Sequence, residues 1–136
     1  MYRKGEGNKK CLREEGILKN KLDILENIFH PVVRRNMEEF IEISKRKRAE
    51  KAVIEVPLLF EKKMEGYFDT ILVADCPVDV QLARIEKNTA LTREMARILI
   101  QRQMERETKK EKADYVIDCT KSKDEVYKKV EEIIFK

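Results

Sequence analysis

The sequence predicts an α/β chain with a helical section in front. Three observations carry that class. Apolar residues recur at helical spacing from Ile17 to Ile43. Two short apolar runs follow, over residues 52–56 and 70–74, of the kind covered on both faces in a parallel sheet. Helical patterns and such runs then alternate to the last residue, as strand–helix–strand units do.

Residues 1–10 are polar, contain Gly5 and Gly7, and predict irregular chain. Ile17, Leu18, Leu22, Leu25, Ile28 and Phe29 define a first helix. Pro31 stops it and can serve as an early residue of the next. Val32, Val33, Met37, Phe40, Ile41 and Ile43 define that second helix, so the expected form is a helical hairpin with His30-Pro31 at its corner. Residues 52–56 are a β-branched run and read as a buried strand. Residues 70–74, with Ile71, Leu72 and Val73 in succession, read as another. Pro77 opens a helix over 78–87. Thr92 caps a longer helix, expected to run to about Lys112. Residues 115–117 are a third strand. Ser122 caps a last helix with Val126, Val130, Ile133 and Ile134 on one face. No repeat and no Gly/Ser-rich linker interrupts the chain, so a single domain over 1–136 is expected.

The 136 residues are one ordinary domain's worth. Charged residues make up 41%, well above the usual quarter, a bias seen on thermophile surfaces and equally in plain helix-rich chains. The net charge of +4 lies in the first 50 residues, where 13 Lys and Arg face 9 Asp and Glu. Lys45-Arg46-Lys47-Arg48 is its densest run. Such a run binds phosphate or nucleic acid, or more commonly complements a helix C-terminus in solvent. Cys11, Cys76 and Cys119 are odd in number and widely spaced, which implies neither a zinc site nor a disulfide framework. There is no apolar signal core and no run near the roughly 18 residues needed to cross a membrane. A reducing cytoplasm and no membrane partner are the expectation.

Pro57-Leu58-Leu59-Phe60-Glu61 follows the run ending Ile54-Glu55-Val56. Ligands of open parallel sheets sit beyond the carboxyl ends of the strands. An acid there, Glu55, can hold Mg²⁺ through water, or equally be a solvated or capping carboxylate. The segment "VIEVPLLFE" resembles the hydrophobic-Asp-x-Pro-Leu-Leu-Phe-Glu segment of dephospho-CoA kinases. Further stretches agree in order. "FHP" at residues 29–31 resembles the family's His-Pro corner between two helices. "DTILVADCPVDVQLARI" resembles its strand and Gln-Leu-x-Arg helix. "LTREMARILIQRQ" resembles its lid helix, and "KKEKADYVID" its Ala-Asp-Tyr-Val-Ile-Asp ending. The likeness covers nearly the whole chain; each motif alone is weak, and their order and spacing are specific.

The resemblance implies an incomplete P-loop kinase fold of the nucleoside-monophosphate-kinase type: a three-layer α/β/α parallel sheet, a helical acceptor-binding part at about 12–50, a core at 51–91 and 113–136, and a lid at 92–112. It implies transfer of the γ-phosphate of ATP to the ribose 3′-hydroxyl of dephospho-CoA, with Mg²⁺. It places His30, Pro57, Leu58, Leu59, Phe60, Glu61 and Arg84 toward the acceptor, Asp118 and Cys119 toward the nucleotide, and Glu55 toward the metal. No residue is assigned as catalytic with certainty; Arg102, Arg106 and Lys109 are the lid candidates. Helical geometry adds to that reading. In one continuous helix Met95, Ile98 and Leu99 share a face with Arg102, Arg106 and Lys109, so packing gives way to cations suited to clamping phosphate. The plainer alternative is a surface helix with incidental Arg–Glu pairs.

The sequence departs from the family in places. A phosphate loop needs Gly-x-x-x-x-Gly-Lys-[Ser/Thr], and "GEGNKK" has neither that spacing nor a strand before it. In the family the first strand, that loop and a hydroxyl-activating Asp precede the region seen here. That missing strand lies mid-sheet, which predicts an open edge beside the strands around Ile54 and Ile71, covered by a partner or by self-association. Glu55 stands where the family has Asp, Asn88-Thr89 where it tends to have Arg-Asp, and Cys119-Thr120-Lys121 where Asn and Gly approach adenine. The expected function is a dephospho-CoA kinase that is inactive alone. A non-catalytic CoA- or nucleotide-binding module, or a subunit completing a partner, is the alternative. A nucleic-acid module over residues 34–48 is disfavoured because aromatic and glycine-rich recognition motifs are lacking.

Overall fold

The computed structural model describes the backbone from residue 6 and side chains from residue 16 to the C-terminus. The expectation for residues 1–5 and the side chain of Cys11 lie outside the described residues. The chain forms two compact units, Met1–Ile54 and Glu55–Lys136.

The first unit is built on one helix, α1 (Glu6–Arg46), with Pro31 inside it. The hairpin corner predicted at His30-Pro31 is therefore absent, and residues 6–10 are helical rather than irregular. Proline removes one rung of the i→i−4 ladder, at a cost of about 3 kcal/mol, without forcing a reversal. At about 100° per residue, the apolar positions before and after Pro31 overlap on one broad side of a continuous helix. Ile24, Ile28, Phe29 and Val32 on that side are exposed. Arg48 ends the helix in the left-handed region, φ 52°. Its N–H donates to Lys45 C=O and that of Ala49 to Ser44 C=O, both at 3.0 Å, which is a Schellman closure with Arg in the place glycine usually takes.

Residues 52–56 do not form the predicted strand. An extended segment becomes a strand only when its backbone is paired, and among the described residues nothing pairs with it. Val53 is 68% exposed there.

The second unit begins with a single helical turn over residues 57–63. It is closed as α1 is: Met64 N–H donates to Leu59 C=O at 2.9 Å and Lys63 N–H to Phe60 C=O at 3.1 Å. Lys63 takes the left-handed conformation, φ 53°. This turn buries Phe60 and Met64. A 3₁₀ turn at Glu65–Tyr67 leads on to β1 (Leu72–Asp75). Then come α2 (Val78–Asn88), α3 (Arg93–Gln101), α4 (Arg106–Lys112), β2 (Tyr115–Asp118) and α5 (Lys123–Ile134). The strands pair in parallel with Leu72 opposite Tyr115 and Asp75 opposite Asp118. Among the described residues the sheet has these two strands, not the three expected.

Asp114 fixes the register. Its carboxylate accepts from Ile71 N–H at 2.7 Å, while Asp114 N–H donates to Ile71 C=O at 2.9 Å. The Ala-Asp in "ADYVID" thus clips β2 to the start of β1. Thr92 caps α3 as predicted, its hydroxyl accepting from Met95 N–H. Ser122 and Glu125 form a reciprocal capping box on α5. Helix α2 packs on α3, α4 on β1, and α5 on β2. Leu82, Ala96 and Ile117 join Phe60 and Met64 in the core of this unit.

Candidate functional site

The carboxyl end of β1 carries an acid, Asp75, that is paired with a cation of α4. The helix expected to run from Thr92 to Lys112 is broken at residues 102–105, between α3 and α4. The break has a visible cause. Met104 N–H leaves the helical ladder and donates to the Glu61 carboxylate at 2.6 Å. The single cationic face predicted across Arg102, Arg106 and Lys109 is therefore not continuous.

Each of the two candidate cations on α4, Lys109 and Arg106, meets an acid. Lys109 Nζ lies 3.0 Å from Glu61 Oε1, with both side chains mostly buried, and also donates to Gln103 Oε1 at 2.8 Å. Arg106 pairs with Asp75, the last residue of β1, through Nε and Nη2. Lys112 adds an outer contact to Glu65 at 3.7 Å and stands 5.8 Å from the centre of the Phe60 ring. The turn at 57–63 is thereby joined through Glu61 to α4 and to Met104 before it.

Electrostatics follow from this geometry. Burial pushes the Glu61 carboxyl up, but hydrogen bonds from Met104 N–H, its own N–H and Lys109 outweigh it, and the group is held below the usual range. Its Oε2 is buried without a hydrogen-bond partner. The Arg106 hydrogen bonds hold Asp75 low against a smaller burial effect. Asp118, opposite Asp75, is held low mainly by the Thr120 hydroxyl and N–H.

Helix α2 secures the other side of the strand ends. Gln81 Nε2 donates to Cys76 C=O at 2.9 Å and Arg84 Nη2 to Cys119 C=O at 2.6 Å. These are the Gln and Arg of the Gln-Leu-x-Arg motif, one helical turn apart, and each holds the residue just beyond one strand.

Pro57, Leu58, Leu59, Phe60, Glu61, Arg84, Arg106, Lys109, Asp118 and Cys119 thus lie in one compact unit. Arg102 lies in the break between α3 and α4. His30 is a mid-helix residue of α1 in the first unit. Glu55 is exposed and outside any strand. Mg²⁺ carried by a nucleotide takes most of its oxygens from phosphate and water and only one or two from carboxylates. Glu55 is chemically sufficient for one. Among the described residues no cluster of three or more His, Cys, Asp or Glu is placed to hold an ion by itself. Sequence reasoning missed Asp75 and Gln81. An acid closing the apolar run "ILVAD" was the available signal for Asp75, by the same logic that singled out Glu55.

A family model described as dephospho-CoA kinase matches residues 1–125. The chain belongs to the dephospho-CoA kinase family. The "Dephospho-CoA kinase" of Fusobacterium nucleatum is 38% identical over 114 residues, 83% of this chain and 57% of that protein. The protein of the same name from Rhizobium meliloti is 33% identical over 110 residues, 81% of this chain and 57% of that one. The crystal structure of TT1252 from Thermus thermophilus superposes with a TM-score of 0.61 at 29% identity, over 85% of this chain and 59% of that one. The α/β architecture is accordingly that of a P-loop kinase in part: the chain spans little more than half the length of the relatives it matches. Among the described residues no helix is long and apolar enough to cross a membrane.

Proposed function

We propose that this chain carries the acceptor-binding, lid and carboxyl-terminal core parts of a dephospho-CoA kinase, at about 12–50, 92–112, and 51–91 with 113–136. The reaction is ATP-dependent phosphorylation of the ribose 3′-hydroxyl of dephospho-CoA, in the cytoplasm. The observation that carries the reading is the convergence of three family motifs in one unit: Glu61 of the Pro-Leu-Leu-Phe-Glu turn on the lid, Arg106 of the lid on the end of β1, and Arg84 on the end of β2. Phosphoryl transfer depends on positioning and charge stabilisation rather than covalent chemistry by the protein. Arg106 stands at the carboxyl end of β1, where a parallel sheet offers its ligands. To serve a phosphate, Arg106 and Lys109 would share or exchange the carboxylates they hold, with Arg102 the third lid cation. Glu55 would supply a carboxylate to the Mg²⁺ of the nucleotide. His30 and residues 57–61 would face the acceptor, and Asp118 and Cys119 the adenine end.

These 136 residues contain no Gly-x-x-x-x-Gly-Lys-[Ser/Thr], so the chain alone is expected to be inactive. The test compares the purified chain with a fusion carrying the phosphate-loop segment of a curated relative, each assayed for conversion of dephospho-CoA to CoA. Turnover by the fusion and none by the chain is the expected pair of results. Turnover by the chain alone overturns the inactivity, and a folded but inert fusion overturns the kinase reading.

A further inference from the structure

Cys76 and Cys119 are the first residues past the paired ends of β1 and β2. Asp75 is opposite Asp118, and Cys119 N–H donates to Asp75 C=O at 2.8 Å, which carries the ladder one step further. The same register sets Cys76 beside Cys119. Adjacent strands lie about 4.8 Å apart, inside the Cα separation of about 4.4–6.8 Å that a disulfide requires. Opposed residues project to the same face of a sheet, so the two side chains continue the face of the Ala74 and Ile117 pair. Both cysteines are half-buried and outside any disulfide, and the Cys119 thiol donates to Ile117 C=O at 3.7 Å. Their backbones are held from one helix, Cys76 by Gln81 and Cys119 by Arg84. Pro77 further restricts Cys76 to extended conformations. The wide sequence spacing concealed this pair; the parallel register reveals it.

We propose that Cys76 and Cys119 form a vicinal dithiol that closes reversibly into an intrachain disulfide across the carboxyl ends of β1 and β2, by exchange with a low-molecular-weight disulfide. The Cys119 thiolate attacks one sulfur of the external disulfide, giving a mixed disulfide and releasing one small thiol. The Cys76 thiolate then attacks the Cys119 sulfur, forming the protein disulfide and releasing the second small thiol. Two protein thiols are oxidised, one external disulfide is reduced, and the two protein protons finish on the released thiols. Burial pushes the Cys76 thiol up, in keeping with its taking the second, intramolecular step. The bond would staple the strand ends and fix the chain that follows Asp118. This site stands independently of the kinase reading.

The test uses the full chain carrying Cys11→Ser, equilibrated with oxidised glutathione, quenched in acid and mapped without reduction. The expected product is a monomer lighter by two hydrogens, with the Cys76 and Cys119 peptides linked and no lasting glutathione adduct. Cys76→Ser should trap the adduct on Cys119. Independent stable adducts on both cysteines, linkage between chains, or no linkage in a chain that is folded by circular dichroism would overturn the proposal. Should Cys76→Ser fail to fold, phenylarsine oxide decides with the Cys11→Ser chain alone. One equivalent should remove both free thiols together, whereas a need for excess reagent would sink the pairing.

Discussion

Arg106 grips Asp75 with two parallel hydrogen bonds, Nε to Oδ1 at 2.5 Å and Nη2 to Oδ2 at 2.7 Å. The first residue of α4 is thereby bound to the last residue of β1. A planar guanidinium matches a carboxylate in this way and an ammonium does not. Arg106→Ala is expected to release the start of α4, raising amide hydrogen exchange in residues 106–112 several-fold while the β1–β2 amides change little. Arg106→Lys should fall between, keeping the charge without the fork. Unchanged exchange in the alanine variant would show that the Lys109–Glu61 contact alone holds the helix.

Acid sensitivity follows from the two low carboxylates. Asp75 and Glu61 both have folded-state pKa values below their unfolded ones. Their stabilisation is therefore present above the ordinary carboxylate range, about 3.9–4.3, and is lost as pH falls through the lower folded values. Urea unfolding followed from about pH 6 to about pH 2 should show that loss. Asp75→Asn with Glu61→Gln should be less stable near neutrality and flatter on the acid side. An acid limb as steep as that of the wild type would mean that other carboxylates set it.

The two left-handed closures offer a stabilising change. Lys63 sits at φ 53° in the position where glycine is the usual residue. A side chain in that region costs about 1 kcal/mol or more, partly offset by the extra freedom glycine has when unfolded. Lys63→Gly is expected to leave thermal stability equal or higher by up to about 1 kcal/mol. A clear loss would mean that the Lys63 side chain makes a stabilising contact.

Local chemistry was the legible part of this sequence. Thr92 and Ser122 announce their helices because an N-cap hydroxyl needs only the next turn to act on. The runs at β1 and β2 are apolar whatever their neighbours. Residues 52–56 failed as a strand because pairing is a property of two segments, and composition reports one. The break between α3 and α4 was hidden for a related reason. It depends on Glu61, 43 residues before Met104 in the chain, capturing one amide. Pro31 was misread through its reputation: it weakens a helix, and the continuing helical pattern on both sides outweighed it. In the candidate site, motifs singled out Glu61 and Arg84 and helical spacing singled out Arg106, while their protein partners came only with the fold.

The Ser122 capping box gives a simple check on α5. The Ser122 hydroxyl accepts from Glu125 N–H at 3.3 Å, and the Glu125 carboxylate accepts from Ser122 N–H at 3.0 Å. Ser122→Ala should cost about 1 kcal/mol and fray the first turn, seen as a lower melting temperature and faster exchange there. Ser122→Asp should recover most of the loss. If alanine is neutral, α5 is held by its packing on β2 and not by its cap.

The clamp from α2 separates positioning from ligand binding. Gln81 and Arg84 hold the carbonyls of Cys76 and Cys119, the residues that leave the two strands at the end where the nucleotide is proposed to lie. A hydrogen bond from a charged donor is worth about 1.5–3 kcal/mol when sheltered, and less here because the contact is exposed. Arg84→Met keeps the bulk of the side chain and removes both charge and donor. Without any ligand it should speed amide exchange over residues 119–122 and lower the melting temperature by a few degrees. Gln81→Met should act on the Cys76 side and leave residues 119–122 nearly as protected as before. The two variants are close enough to couple, so their double mutant should differ from the sum of the singles. A ligand-free Arg84→Met chain with unchanged exchange and melting would move Arg84 from holding the strand end to contacting substrate alone. In that case its effect should emerge only as weaker acceptor binding in the completed enzyme.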